Sequence, residues 1–261
     1  MKYVFYLFCF LFSVLVFSQE TITVEFAEEK AFTANKIYGI DTFGTTYFAD
    51  DNESFYKKTA DTTISYANFQ LGKITSANVF NPLKINLFYQ DFNTVVILDN
   101  RLAEIQKIDF NTSVPYKNVS LVSTGYDNTL WLFNQDLQYL ELYDYLNNTT
   151  RVRTVPIASQ ALDLKSDYNY VYLLTESYLY IYSYFGSLIH KIENSGFTQM
   201  AFSKAQLVLK SDNTLSLLAK NSTELIPLNT NDLLINQFLV TNETLYIYND
   251  EKLRRYQLKS Q

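Results

Sequence analysis

The sequence predicts an all-β protein assembled from six copies of one short antiparallel sheet. Three observations carry this expectation. The 261 residues include 22 Tyr and 20 Phe, one apolar-turn-apolar phrase recurs along the chain, and no helical periodicity separates the copies. Aromatic and β-branched side chains fit a pleated, half-buried surface better than a helix. Gly (6) and Pro (4) are scarce, so turns must rest on Asn, Asp and Ser, which bond to the local backbone and tolerate tight geometry.

The chain opens on a separate object, "MKYVFYLFCFLFSVLVFSQE". Lys2 precedes an apolar run from Tyr3 to Phe17, broken only by Ser13, and the small residue Ser18 follows. That is the pattern of a secretory signal peptide over residues 1–18, cleaved after Ser18. A retained membrane anchor is the rival reading, but the run is short of the about 20 apolar residues a spanning helix needs. The "FSQ" exit resembles that of exported proteins of Bacteroidota. Cys9, the only cysteine, lies inside the run behind the bulky Leu7-Phe8, which argues against lipidation. Cleavage therefore leaves residues 19–261 without disulfides, thiolate nucleophiles or cysteine metal sites.

The repeated phrase reads "NTVVILDNRLAEIQKI" from Asn93, "NTLWLFNQDLQYLEL" from Asn128 and "ETLYIYNDEKLRRYQL" from Glu243. Apolar runs that follow a turn begin near residues 45, 93, 128, 169, 206 and 243. Six units of about forty residues fill the chain beyond the leader and leave no room for a second domain. The fourth unit shows the grammar: "ALDLKSD", "YVYLLT", "YLYIYSY", "GSLIHKI". The fifth repeats it as "TQMAFSK", "QLVLKSD", "TLSLLAK", "TELIPL". Four short strands per unit, split by turns such as Ser166-Asp167 and Ser211-Asp212-Asn213, describe antiparallel meanders.

Meanders repeated this way resemble the blades of a β-propeller, here one ring of six four-stranded blades. A sandwich and a β-solenoid are alternatives, and so is an outer-membrane barrel. Barrel strands alternate lipid-facing apolar with lumen-facing polar residues, whereas "VVIL", "LWLF", "VYLL" and "LVL" are continuously apolar. Strands apolar on both faces belong to sheets packed on both faces. The last unit has only three strands, and Thr21–Phe26 ("TITVEF") is strand-like without a partner of its own. Open edges invite aggregation, so Thr21–Phe26 is expected to pair with Lys252–Leu258 and complete the last blade. Each copy of the phrase is then the central hairpin of one blade. "NQDLQYLEL" and its relatives lack the Gly-His and Trp-Asp signatures of WD40 repeats, and Trp131 is the only tryptophan. The units look like those of divergent exported propellers, the broad kind that includes NHL-like and outer-membrane-assembly scaffolds.

Chemistry is sparse. The net charge of −6 and a pI near 4.9 argue against a nucleic-acid partner. His190, the sole histidine, falls on an expected outer strand, and no Gly-x-Ser-x-Gly elbow accompanies it. Asp50-Asp51-Asn52-Glu53 is the densest acidic cluster, but it sits where a hairpin turns and lacks the ligand spacing of a Ca²⁺ loop. Asp41, Asp91, Asp127, Asp163 and Asp167 lie near strand ends, where two could act as a glycosidase pair across the ring. Phosphate-loop and dinucleotide motifs are absent. Arg151, Arg153, Arg254 and Arg255 read as solvated charges on two outer strands. Asn111-Thr112-Ser113 and Asn148-Thr149-Thr150 match glycan acceptors by chance-level triplets, and Asp61-Thr62-Thr63 resembles an O-glycan acceptor of Bacteroidota.

No catalytic residue, metal ligand or cofactor site is therefore expected. The leading reading is a non-enzymatic binding or scaffold protein, periplasmic, secreted or associated with the outer membrane, with a protein partner in the cell envelope and no membrane span after cleavage. Tyr offers contact area at low entropic cost, which points to Tyr139, Tyr143 and Tyr145 in "YLELYDY" and Tyr178, Tyr180, Tyr182 and Tyr184 in "YLYIYSY" as the contact surface. Ordinary strand packing is the competing role for these rings. A carbohydrate-binding or carbohydrate-active propeller is the alternative function.

Overall fold

Turns in this chain are made by side chains that bond to their own backbone. Asp50 Oδ1 accepts the N–H groups of Asn52 and Ser54, and Asp99 Oδ1 those of Arg101 and Ala103. Asp144 and Asp167 do the same for Leu146 and Asn169. Left-handed corners fall on Asn93, Asp127, Asn148, Asp212, Asn242 and Asp250, with φ from 48° to 55°. Asn and Asp thus take the places glycine usually fills.

The computed structural model describes residues 22–203, 206–219, 222–230 and 233–260. The expected signal peptide over residues 1–18, with Cys9, and Thr21 lie outside the described residues. Strand β1 (Ile22–Ala31) is followed by six groups. The first is β2 (Lys36–Ile40), β3 (Thr46–Ala49), β4 (Phe55–Lys58) and β5 (Thr63–Tyr66). The second is β6 (Ser76–Asn78), β7 (Ile85–Tyr89), β8 (Thr94–Leu98) and β9 (Glu104–Asp109). The third is β10 (Val119–Thr124), β11 (Thr129–Asn134), β12 (Tyr139–Asp144) and β13 (Thr149–Arg153). The fourth is β14 (Ala161–Ser166), β15 (Tyr170–Thr175), β16 (Tyr178–Ser183) and β17 (Leu188–Glu193). The fifth is β18 (Gln199–Ser203), β19 (Gln206–Ser211), β20 (Thr214–Leu218) and β21 (Leu225–Leu228). The sixth has β22 (Gln237–Thr241), β23 (Thr244–Asn249) and β24 (Lys252–Ser260), and β1 supplies its fourth strand.

The first strands meet in a closed circuit, β2 against β6, then β10, β14, β18, β22 and back to β2. Each gap in the circuit is bridged by a polar contact. Asn78 donates to Ser123, Ser166 to Ser123, Met200 N–H to Asp163, Asn242 N–H to Ser203, Thr241 to the Ile40 carbonyl, and Tyr38 to the Ile74 carbonyl. The fold is a six-bladed β-propeller.

Apolar side chains explain the sandwiching. Six clusters of buried residues fill the six gaps between blades. Alternate residues of one strand serve opposite gaps, because successive Cβ atoms point to opposite faces. On β11, Leu130 and Leu132 join the cluster shared with blade 2, while Trp131 and Phe133 join the one shared with blade 4. Every residue of β8 and β11 is buried. Continuously apolar strands therefore lie inside blades covered on both sides.

Closure is as expected and longer. Pairing of β1 with β24 runs from Ile22↔Ser260 to Ala31↔Lys252, with a register shift between Phe26 and Glu28. Ion pairs follow the added length: Arg254–Glu29 at 2.7 Å, Lys252–Glu29 at 3.2 Å and Arg255–Glu28 at 3.6 Å. Exposed pairs of this kind contribute only about 0–1 kcal/mol each, so they set register more than stability. Two expectations need correction. Arg254 and Arg255 sit on the third strand of their blade, covered by β1, and only Arg151 and Arg153 lie on an outermost strand. The Asn93 phrase is the third-to-fourth hairpin of blade 2, β8–β9, rather than its central one. The central hairpin begins at Ile85, and second strands then start 39, 44, 41, 36 and 38 residues apart.

Among the described residues, no helix is long and apolar enough to cross a membrane.

Candidate functional site

A propeller presents two faces. One, the upper, carries the connections into each first strand and those between second and third strands. The other, the lower, carries the first-to-second and third-to-fourth connections. Antiparallel alternation assigns every loop to one or the other.

Around the axis on the lower face, three consecutive blades each contribute an aromatic ring from the loop after the first strand: Phe80, Tyr126 and Tyr168. Tyr168 stands edge-on to both others, with centroids 5.1 Å from Phe80 and 5.4 Å from Tyr126. Such geometry sets a ring's positive edge against a neighbour's negative face. Phe80 and Tyr126 are exposed, and Phe43, in the equivalent loop of blade 1, is 93% exposed. Lys84 fixes the loops beneath by donating to the Asp127 carbonyl (2.8 Å) and Asn128 Oδ1 (2.9 Å). The Asn81 carboxamide holds the Tyr168 hydroxyl, whose pKa is raised chiefly by desolvation. The result is a partly apolar crown in which half-buried Tyr168 joins two exposed rings.

The axial channel carries Lys36, Asp163 and Lys165 on the inner strands of blades 1 and 4. Lys165 pairs with Asp163 at 2.9 Å, and Lys36 donates to the Thr75 carbonyl at 2.9 Å. Burial lowers the Lys36 pKa, and the Lys165 and Lys73 ammonium groups lower it further.

The tyrosines singled out from sequence occupy the gaps between blades. Tyr143 and Tyr145 are buried in the gap to blade 2, and Tyr139 is buried on the same strand. Tyr180 and Tyr182 are buried against blade 3, with Tyr178 and Tyr184 partly exposed beside them. Desolvation pushes the Tyr182 hydroxyl up to about 12 and raises Tyr139, Tyr143 and Tyr145. Tyr178 and Tyr180 carry Lys191 over their rings, at 3.8 Å and 5.5 Å from the centroids, and Tyr184 packs edge-on to Trp131.

The remaining candidates are dispersed. His190 lies on the outermost strand of blade 4, paired with Ile181. Asp50 and Glu53 serve the β3–β4 turn and its neighbours, with Glu53 accepting the Ile74 N–H and an Asn35 N–H. Asp41, Asp127 and Asp167 fall on the lower face, Asp91 on the upper, and Asp163 in the channel. Oδ1 of Asp41 and of Asp167 is already taken by loop N–H groups. Among the described residues, no three His, Cys, Asp or Glu side chains converge as a metal site would require.

Sequence reasoning missed the lower-face rings. Their only signal was an aromatic residue in the same loop of successive repeats.

No protein-family model matches the chain, and no curated protein matches it. Solved structures are. A streptogramin B lyase is 11% identical, with 90% of this chain and 88% of that one covered at a TM-score of 0.62. A catalytically inactive histidine-to-alanine variant of virginiamycin B lyase from Staphylococcus aureus, solved with quinupristin, is 11% identical, with 86% and 81% covered at 0.61. A chain of the mitotic checkpoint complex is 11% identical, with 93% and 94% covered at 0.58. Identity this low carries the architecture across and nothing more, so what these proteins share with the present chain is the propeller.

Proposed function

We propose that this propeller is a non-enzymatic binding scaffold of the cell envelope and that its lower face holds a protein partner. The observation that carries the reading is the crown of Phe80, Tyr126 and Tyr168 with exposed Phe43 beside it. Rings held by neighbours lose little freedom on binding, which is why aromatic anchors dominate protein interfaces. Partly exposed Tyr184, with exposed Phe185 against it, extends the same face outward. The leader at residues 1–18 supports placement in the periplasm or at the outer membrane.

A lyase activity draws no support from the residues. The virginiamycin B lyase variant that lacks one histidine is inactive, whereas the single histidine here, His190, lies on an outermost strand. The test is affinity capture from the native envelope with the wild-type chain and with Phe80→Ala/Tyr126→Ala/Tyr168→Ala. A partner retained by the first and lost by the triple variant is the expected outcome. An unchanged partner set, with the variant folded, would remove the lower face from the reading.

A further inference from the structure

On the upper face, a cavity of about 580 Å³ lies between blades 3 and 4, at the edge of blade 2. Its polar lining is Gln90, Gln135, Gln138 and Gln160 with Ser120 and Ser159. Leu121, Phe133, Ala161 and Leu162 line the rest, and no charged residue does. The volume lies within the roughly 300–1,000 Å³ typical of small-molecule sites.

The backbone is shaped for this cup. Register shifts between Val119 and Leu121 on β10, and between Ala161 and Asp163 on β14, leave Ser120 and Leu162 without strand partners. Bulges re-aim side chains next to binding sites, and here both bulged residues line the cavity. Gln138 is anchored by donating to the Gln135 carbonyl at 2.7 Å, and Ser159 exchanges hydrogen bonds with Ser177. The carboxamides of Gln90, Gln135 and Gln160 take no part in the hydrogen bonds among the described residues. Each offers a donor pair and an acceptor side by side.

That lining selects a ligand class. The side chains of Gln90, Gln135 and Gln160 are exposed at the open mouth of the cup, so selection rests on what they can offer. A charged ligand meets no counter-charge, and an apolar one forgoes their hydrogen bonds. The amides come from three blades and surround a cup, whereas a bound peptide main chain needs partners in a row along one strand edge. A compact molecule with hydroxyls on all sides meets both conditions.

We propose that this cup binds an uncharged saccharide of one or two rings. The site is on the face opposite the aromatic crown and stands independently of the protein-binding reading. Calorimetric titration of the purified full chain with glucose, galactose, N-acetylglucosamine and maltose, and with glucuronic and galacturonic acids, tests it. At least one neutral sugar is expected to bind, with its uronic acid about tenfold weaker. Gln135→Leu/Gln160→Leu is expected to weaken binding about tenfold or more, and Phe80→Ala to leave it unchanged. Trp131 fluorescence and thermal melting establish that each variant is folded. Three outcomes overturn the proposal: no neutral sugar binding up to about 10 mM, equal affinity for the uronic acids, or full affinity in a folded double glutamine variant. Preferential binding of a capped tri-alanine peptide would reassign the cup to main-chain recognition.

Discussion

Glu141→Gln is the most informative single change for the ring itself. Glu141 is fully buried on β12, and the Lys117 ammonium, only 5% exposed, donates to both carboxylate oxygens at 2.8 Å. Thr150 donates to the same carboxylate at 2.7 Å, and the Lys117 ammonium stands 5.2 Å from the Tyr143 ring centroid. Asn93 of blade 2 holds this segment from the other side, its amide on the Lys117 carbonyl (2.7 Å) and its oxygen on the Val119 N–H (3.1 Å). The pair therefore fixes the segment that carries the chain from blade 2 into blade 3. Removing one partner of a buried pair costs about 3–5 kcal/mol. Gln keeps an acceptor for Lys117, which places the expected loss near the lower end, about 3 kcal/mol. For a domain of this size about 1 kcal/mol corresponds to about 2–4 °C, so the midpoint should fall by roughly 6–12 °C. Urea titration followed through buried Trp131 reads the same quantity. The double variant Lys117→Met/Glu141→Leu removes both charges and should recover most of the loss. A single variant within about 1 kcal/mol of wild type, or a double variant no better than the single, would refute the reasoning.

Four further outcomes follow from the geometry. Desolvation tends to raise the Asp144 carboxyl, but hydrogen bonds from Asn147 and Arg151 outweigh it and hold the value at about 2, below the ordinary 3.8. A depressed carboxyl stabilises above its unfolded value, so acid melts should lose this contribution as pH falls from about 4 to 2, and Asp144→Asn should flatten that limb. Gly39→Ala would set a Cβ 2.2 Å from Val79 Cγ2, at a cost of about 1–3 kcal/mol that Val79→Ala should relieve in equilibrium unfolding. Deleting residues 22–31 exposes the edge of β24, and light scattering should then show association that the full chain lacks. Phe80→Ala/Tyr126→Ala/Tyr168→Ala should shift the melting midpoint by only a few degrees, since two of these rings are exposed.

The architecture was legible because burial on both sides of a blade writes itself as unbroken apolar runs, as in "LWLF" at Leu130–Phe133. Closure was legible from a strand without a partner and a blade lacking one. Phase was harder. Blade 2 turns its central hairpin on a 3-10 stretch, Gln90–Phe92, and the apolar run after it mimicked a second strand. The tyrosines of "YLYIYSY" alternate with apolar residues, so one face of β16 lines a gap between blades and leaves few rings open. A side chain's outlook depends on which neighbour covers it, and a single strand does not encode that. Phe80, Tyr126 and Tyr168, like Gln90, Gln135 and Gln160, come together only because repeats some forty residues apart bend into a ring.

The seam between Ile22–Ala31 and Lys252–Ser260 has a temporal meaning. Ile22–Ala31 must wait, single and unzipped, until the five blades between it and its partner strand are in place. Bringing such distant segments together is entropically slow, so the circle shuts late, and a helper able to shield a lone β-strand would find its client in that interval.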